Sequence, residues 1–282
     1  MSTQAMSVQT QVLMIEARDN PLLVRLRKLA RDPAAYRKQG ELWLEGEHLC
    51  TALRERGLRP LQAIISADAW QRPSWHALAQ WALRVAVVPS RLFKDFSALP
   101  SSGPSDGQLG FVMQLPEVAP ITCDVNTLVL DRIQDAGNVG SILRTAAAFG
   151  VTQVLALKGT AALWSPKVLR AGMGAHFGLR LTEGLGLEEL SASALSRLPW
   201  VGTALSAKLL LHQAVLPSPC AWIVGHEGQG VDATLLARCA QVVRIPQPGG
   251  EESLNEAAAA AVCLYEAMRQ GRQPGVVQTG QT

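Results

Sequence analysis

Residues 130–150, LDRIQDAGNVGSILRTAAAFG, predict a strand, a glycine turn and a helix in the second half of the chain. An apolar strand ends near Leu130, a turn holds Gly137, and Asn138 stands where a helix N-cap belongs. The helix that follows carries an apolar stripe, and Arg144 projects away from the centre of that stripe. A glycine turn at a helix N-terminus is a ready anion site, and an arginine can add a bidentate phosphate contact. An ordinary capped helix with a solvated arginine fits the same pattern, so both interpretations stay open.

Short apolar strands alternate with helices on both sides of this stretch. The predicted strands are 127–130, 153–156, 200–203, 221–224 and 241–244. The predicted helices are 138–149, 165–171, 187–195, 232–240 and 253–270. This alternation predicts an α/β fold whose sheet is largely parallel and covered on both faces.

The N-terminal part repeats the alternation with weaker signals. The predicted strands are 41–45, 61–65, 84–87 and 109–113, with helices after Asn20 and Pro89 and at 47–56 and 74–81. Residues 100–107 are a loop by composition, and 114–122, with two prolines, is the natural linker. We therefore predict an N-terminal α/β domain at 13–113, a second domain at 123–270 and a disordered tail at 271–282.

Composition restricts the class of protein. With 282 residues, 48% apolar and 17% charged, the chain can bury a large core. The net charge of +3 excludes a histone-like polycation, but residues 1–113 carry 14 Lys/Arg against 10 Asp/Glu. The window from Arg18 to Lys38 holds seven bases and two acids. The small net charge therefore hides a basic N-terminal part.

Cysteine spacing and hydropathy exclude other classes. The five cysteines are scattered and match neither a disulfide framework nor a zinc site, which favours a reducing compartment. No apolar run approaches the roughly 18–20 residues needed to cross a bilayer, and the N-terminus lacks the apolar core of a signal peptide. We expect a cytoplasmic protein with no membrane partner and no metal.

Two further loops are candidates for ligand binding. Residues 221–230, AWIVGHEGQG, are a strand followed by three glycines around Glu227, which permit close backbone approach to a ligand. A merely tight turn fits equally well. Residues 243–256, VRIPQPGGEESLNE, form a Pro- and Gly-rich loop that leads into an alanine-rich helix. Ser253 and Glu256 have the spacing of a capping box, which competes with a catalytic role for Ser253.

Together the three loops resemble the SpoU family of the SPOUT superfamily, the AdoMet-dependent RNA ribose 2′-O-methyltransferases. The matching residues are Asn138-x-Gly140 with Arg144-Thr145-Ala146, then Gly225-x-Glu227-Gly228-x-Gly230, then Ile245-Pro246 and Ser253-Leu254-Asn255. Upstream, Arg18-Asp19-Asn20-Pro21 and Leu44-Glu45-Gly46-Glu47 resemble the family's substrate-binding domain, which is similar to a ribosomal RNA-binding protein fold. The resemblance covers about Leu13 to Gln270.

The resemblance implies a deep trefoil knot in the second domain, a homodimer with active sites at the subunit interface, AdoMet as methyl donor, and rRNA or tRNA as substrate. The implied catalytic residues are Arg144, Asn138, Glu227, Ser253 and Asn255. The implied cofactor-binding residues are Thr203, Ala204, Gly225, Gly228, Ile245 and Leu254. The basic window would then hold RNA phosphates through Arg18, Arg25, Arg27, Lys28, Arg31, Arg37 and Lys38. We expect Arg144 to pair with Glu227 and to act as a clamp rather than a base, because a guanidinium rarely gives up its proton.

Three positions depart from the family pattern. Gln247 replaces a usual methionine, Ala136 replaces a frequent proline, and Glu256 stands where a small apolar residue is common. A capping role for Glu256 would direct its charge outward, away from the site. These departures keep two alternatives open, a catalytically inactive RNA-binding or assembly factor and a SPOUT enzyme that methylates a base. A nicotinamide-dependent dehydrogenase is disfavoured because no dinucleotide fingerprint is present.

Overall fold

The computed structural model describes residues 10–99, 108–249 and 253–271. The loop expected at 100–107 and the tail expected after Gly271 lie outside the described residues. The chain forms two compact units, Met1–Glu117 with Trp164–Phe177 and Val118–Leu163 with Gly178–Thr282. The segment Trp164–Phe177, which the sequence places inside 123–270, therefore packs with the first unit. The boundaries at 113 and 123 stay a prediction.

The strands lie close to where apolar alternation predicts them. In chain order they are β1 (Gln11–Met14), β2 (Glu41–Glu45), β3 (Gln62–Ser66), β4 (Arg84–Val88), β5 (Leu109–Gln114), β6 (Thr127–Leu130), β7 (Gln153–Leu157), β8 (Arg180–Leu185), β9 (Trp200–Thr203), β10 (Leu209–Leu210), β11 (Ala221–Val224) and β12 (Gln241–Arg244). The sequence reading missed β1, β8 and β10. These strands lack a clear apolar pattern. Strand β1 lies on a sheet edge with all four residues exposed, β8 carries Arg180 and Glu183, and β10 has only two residues.

The helices follow the same alternation. In chain order they are α1 (Pro21–Arg31), α2 (Ala35–Gln39), α3 (Glu47–Glu55), α4 (Ala67–Trp70), α5 (Pro73–Ala79), α6 (Ser90–Phe93), α7 (Ala136–Ala148), α8 (Pro166–Gly172), α9 (Leu187–Ala192), α10 (Ala233–Leu236) and α11 (Glu256–Gly271). Helix α1 shows why the sequence folds this way. Asn20 Oδ1 accepts from the Leu22 backbone N–H at 3.0 Å, Pro21 opens the helix, and Leu23, Leu26 and Leu29 are buried.

The first unit contains a five-stranded mixed sheet in the order β1-β4-β3-β5-β2. Strands β1, β4 and β3 run parallel, whereas β5 is antiparallel to both β3 and β2. Helix α8 belongs to this unit and packs against β2 and α1.

The second unit contains a seven-stranded sheet in the order β10-β12-β9-β11-β6-β7-β8, and every pair in it is parallel. The predicted α/β architecture with a parallel sheet is confirmed. Because β12, β9, β11 and β6 are neighbours, the loops that follow their carboxyl ends open at one edge of the sheet. Those four loops contain the glycine-rich and asparagine-containing motifs of the sequence.

Candidate active site

The first loop positions Asn138 at the start of α7. Asp135 Oδ1 accepts from the Asn138 backbone N–H at 2.8 Å, so Asp135 is the N-cap of this helix. The prediction of Asn138 as N-cap is wrong, because the helix begins two residues earlier, at Ala136. The correction matters for the site: the Asn138 side chain is not used by its own helix.

The three loops meet in one chain of side-chain hydrogen bonds. Asn138 Nδ2 donates to Glu227 Oε1 at 3.3 Å, and Asn255 Nδ2 donates to Asn138 Oδ1 at 3.0 Å. Glu227 also accepts from the backbone N–H groups of Gln134, at 3.3 Å, and Asp135, at 3.1 Å. We call Asn138, Glu227 and Asn255 the three-loop network. Each of its members comes from a different loop, and the sequence predicted all three as site residues.

The electrostatics of Glu227 keep it ionised. Burial alone would raise the pKa of this carboxyl, but hydrogen bonds from its own backbone N–H, from those of Asp135 and Gln134 and from the Asn138 amide outweigh burial, so the pKa lies below its usual value. A carboxylate tied this way is a fixed negative charge. It is an acceptor that orients Asn138 rather than a group that exchanges protons near neutral pH.

Asn255 also caps α11. Its Oδ1 accepts from the backbone N–H groups of Ala257, at 3.0 Å, and Ala258, at 3.3 Å. The predicted capping box of Ser253 and Glu256 is therefore wrong, because Glu256 is already the first residue of the helix. Ser253 is exposed and free of that structural role.

Glu256 lies half-buried at the first turn of α11 and forms no hydrogen bond with any described residue. Burial and the charge of Glu227 raise its pKa to about 7. The expectation that a capping role directs it outward is not met, since Asn255 holds that role.

Arg144 stands apart from the network. It lies exposed on α7 and forms no hydrogen bond or ion pair within residues 10–99, 108–249 and 253–271. The predicted pairing with Glu227 is wrong, because backbone N–H groups and Asn138 already bind that carboxylate, and Arg144 lies six residues, about 9 Å, further along the helix. Its guanidinium remains available to a ligand.

The second loop is a tight turn, and it carries Glu227 of the three-loop network. His226 and Gly230 exchange two backbone hydrogen bonds, at 3.0 and 2.8 Å, and His226 Nδ1 accepts from the Gly228 N–H at 2.9 Å. A side chain at Gly225 would place its Cβ 2.2 Å from the backbone of Gly230. Glycine is required there, so the tight-turn interpretation of this loop is confirmed, and its contact with a ligand stays a prediction.

Sequence reasoning missed the pair that fixes this turn. Arg132 binds the buried Asp131 carboxylate through Nε at 2.8 Å and Nη2 at 3.1 Å, while its Nη1 donates to Gln229 Oε1 at 3.0 Å. Asp131 Oδ2 also accepts from the Asp232 backbone N–H at 2.7 Å. The only sequence signal was an Asp-Arg pair directly after a buried strand.

Five of the six predicted cofactor-binding residues lie at or after the carboxyl ends of neighbouring strands, and the sixth, Leu254, lies just before α11. Thr203 ends β9 and Ala204 follows it; Gly225 and Gly228 follow β11; Ile245 follows β12; and Leu254 precedes α11. Two leucines near them are unusually exposed, Leu205 at 58% and Leu254 at 38%. Among the described residues, no group of three His, Cys, Asp or Glu side chains is arranged to hold a metal ion.

Comparison with known proteins places this site in a family. Residues 126–265 match the SpoU rRNA methylase family. The 23S rRNA (guanosine(2553)-2′-O)-methyltransferase RlmP of Bacillus subtilis is 32% identical over 232 residues, which are 81% of this chain and 88% of that protein. The chain belongs to the SpoU rRNA methylase family.

Two further proteins resemble this SpoU family member over most of its length. An uncharacterized tRNA/rRNA methyltransferase of Synechocystis sp. is 32% identical over 265 residues, 93% of this chain and 95% of that protein. The crystal structure of an RNA 2′-O ribose methyltransferase superposes with a TM-score of 0.74 at 29% identity and covers 92% of this chain and 99% of that one.

In this SpoU family member, the arginines of the basic window are largely bound within the protein. Arg18 Nε lies 2.9 Å from Asp95 Oδ2, Arg27 Nη2 donates to the Arg18 carbonyl at 2.6 Å, and Arg31 Nη2 donates to the Asp95 carbonyl at 2.8 Å. Arg25 pairs with Glu41 at 3.2 Å.

The remaining predicted RNA contacts of the window, Arg37, Lys28 and Lys38, are exposed. The Arg37 guanidinium lies 5.4 Å from the centre of the Tyr36 ring. No described helix has the length and apolar character of a membrane span.

Proposed function

We propose that this chain is an AdoMet-dependent methyltransferase that modifies a ribose 2′-OH of structured rRNA or tRNA. The observation that carries the proposal is the three-loop network. It joins the three family loops through Asn138, Glu227 and Asn255, while the Arg144 guanidinium has no partner among the described residues. The names of the relatives, which are RNA methyltransferases, support the substrate class.

The loops after β9, β11 and β12 fit AdoMet. The exposed Leu205 and Leu254 offer apolar surface for a base, and a Cβ at Gly230 or Gly249 would meet no atom within 4 Å, so open space adjoins these loops. Gln247 Oε1 is a buried acceptor with no donor among the described residues, which a ligand amine would satisfy. We assign Thr203, Ala204, Gly225, Gly228, Ile245 and Leu254 to cofactor binding.

The chemistry requires positioning more than proton transfer by the protein. When bound, AdoMet would supply a methyl group on a positively charged sulfur; its transfer to the 2′-oxygen would leave a neutral thioether, and the hydroxyl proton would be lost to solvent. The protein must hold the ribose in line with that methyl group. The guanidinium of Arg144 binds an adjacent phosphate and stabilises the negative charge that develops on the oxygen. Asn138, held by Glu227 and Asn255, presents its amide beside the same loops, and Ser253 offers an exposed hydroxyl.

The remaining features of the family belong to the same proposal. The second unit would form the trefoil knot, with the first unit as an RNA-binding domain similar to a ribosomal protein fold. A homodimer is supported by an exposed apolar surface on α11, where Val262 and Tyr265 are 43% and 51% exposed. A cytoplasmic location is supported by five free cysteines.

Glu256 favours one second candidate function, that of an RNA-binding or assembly factor without turnover. Its carboxyl lies close enough to Glu227 for the two charges to interact, beside the proposed site. Calorimetry of the full chain with AdoMet separates the two functions, since the enzyme requires binding and the assembly factor does not.

Ribose-methylation mapping of RNA tests the main proposal. We expect RNA from a strain lacking this gene to lose one 2′-O-methyl mark, and purified protein with AdoMet to restore it. Restoration by the Arg144→Ala variant at the wild-type rate would contradict the assigned role of Arg144.

A further inference from the structure

The first unit contains a cavity that the methyl-transfer site does not explain. Its volume is about 480 Å³, within the range of small-ligand pockets. The lining comes from the turn between β2 and α3, from the start of α5, and from α8 with Met173. All of these elements belong to the same unit.

The N-terminus of α3 opens onto this cavity. Gly46 precedes the nine-residue helix with φ 99°, and no described side chain caps it. Its φ of 99° and the 3.1 Å that would separate a Cβ from Leu99 Cδ1 favour glycine at this position. An uncapped helix start presents N–H groups and a partial positive charge, which favour an anion.

Arg170 provides a second, independent observation. It lines the cavity from α8, and its guanidinium forms no hydrogen bond or ion pair with the described part of the chain. One of its nitrogens, Nη1, is buried without a partner, although buried polar groups in proteins are nearly always satisfied. This nitrogen is therefore able to donate to an anionic group of a ligand in the cavity.

The rest of the lining suits a planar ring beside an anion. The Arg72 guanidinium lies 5.8 Å from the centre of the Trp75 ring, and Met173, 40% exposed, and Leu99 add apolar surface. The buried carboxylate of Glu45 repels an anion less than a free carboxylate would, because it accepts hydrogen bonds. Its donors are the Ala98 N–H, at 3.2 and 3.0 Å, and the Ser97 hydroxyl. Glu47 is exposed and carries the remaining negative charge.

We propose that this cavity binds one unpaired nucleotide of the RNA substrate, distinct from the nucleotide that is methylated. Its phosphate faces Arg170 and the start of α3, and its base packs against Arg72, Leu99 and Met173. Unpaired bases are commonly recognised by stacking on aromatic rings or guanidinium planes. The inference rests on the proposed function for its choice of RNA as ligand.

Binding measurements on the full-length protein test the cavity directly. The probe is a fluorescein-labelled single-stranded RNA of mixed sequence, compared with the same strand in duplex, at fixed ionic strength. We expect Arg170→Ala to weaken single-strand binding about tenfold, as the loss of a charge-assisted hydrogen bond does, and to affect the duplex much less. Met173→Trp, which fills the cavity without changing its charge, is expected to weaken the same complex.

Arg56→Ala is the matched control, because it removes the same charge from the opposite, exposed end of α3. The proposal is overturned if Arg170→Ala and Met173→Trp both bind single-stranded RNA like Arg56→Ala. It is also overturned if adenosine monophosphate binds in an Arg170-dependent manner while RNA does not.

Methyl transfer by the wild-type protein is measured on the same samples, so the two proposals fail separately. Arg170-dependent RNA binding without methyl transfer retains the cavity and rejects the enzyme. Methyl transfer together with RNA binding that neither cavity variant weakens retains the enzyme and rejects the cavity.

Discussion

The arginines of the basic window and the arginine of the three-loop site differ in what they touch. In the window, Arg18, Arg27 and Arg31 converge on Asp95 and its neighbours, and Arg25 binds Glu41. On α7, the Arg144 side chain has no polar partner among the described residues, whereas Asn138 of the same helix and the other side chains of the three-loop network are hydrogen-bonded. A high density of charge in a sequence therefore does not indicate where charge is available to a ligand.

The largest expected effect lies at Arg144. Its replacement by alanine removes a cation that interacts with developing negative charge, so we expect kcat/KM for methyl transfer to fall about a hundredfold or more. Arg144→Lys, which keeps the charge but not the planar fork, is expected to recover only part of the activity. Arg197→Ala, an exposed arginine of the same unit, is the control and should leave the rate near that of the wild type.

The three-loop network should respond next. Glu227→Gln keeps the shape of the side chain but weakens the hydrogen bonds that hold it to residues 134, 135 and 138, and we expect kcat/KM to drop ten- to hundredfold. Glu188→Gln on α9 removes an exposed carboxylate as a control. A Glu227→Gln enzyme as active as this control would show that the network is structural only.

Smaller effects are expected in the basic window. Lys28 and Lys38 are exposed, and each alanine variant should weaken RNA binding about threefold and lower the slope of log K against log salt by about one. Arg18→Ala should change the slope less, because Asp95 already binds that guanidinium. A salt series of filter-binding measurements gives the slopes, and equal slopes for the three variants would contradict the distinction between the paired Arg18 and the exposed lysines.

The smallest effect concerns stability and pH at Glu256. Burial and Glu227 raise the pKa of Glu256 to about 7, above the value of about 4.3 in an unfolded chain. The folded protein therefore holds this proton more tightly, and that stabilisation is complete below about pH 4.3 and is lost as the pH rises through 7. We expect Glu256→Gln to raise the urea midpoint at pH 8 and to change it little at pH 5. A urea midpoint that Glu256→Gln lowers at pH 8 would show that the ionised Glu256 carboxylate gains a partner in the folded protein.

Much of the fold follows from local sequence patterns. Strands β6, β9 and β11 lie where runs of apolar residues predict them, since these parallel strands are buried on both faces. Strand β1 was missed because it is a short edge strand with every residue exposed, so its pairing with β4 leaves no alternation to read.

The sequence motifs predict which residues come together in the three-loop network, but not which hydrogen bonds they form. Asn138, Glu227 and Asn255 follow from the family motifs, yet which of them caps a helix depends on helix starts that shift by two or three residues. Asp135 and Asn255 took the capping roles assigned to Asn138 and Ser253, and this released Asn138 to bridge two loops. The role of Asp131 and Arg132 in fixing the second loop could not be predicted, because Gln229, which Arg132 binds, lies 97 positions away.

Transfer of a methyl group to a ribose 2′-oxygen, with Arg144 at the site, is the proposed activity of this chain. The most direct measurement is mass spectrometry of nucleosides from RNA incubated with the purified protein and isotope-labelled AdoMet. We expect labelled 2′-O-methylnucleosides with the wild-type protein and their loss with Arg144→Ala. Label on a base instead of the ribose, or no label in any RNA, would contradict the claim.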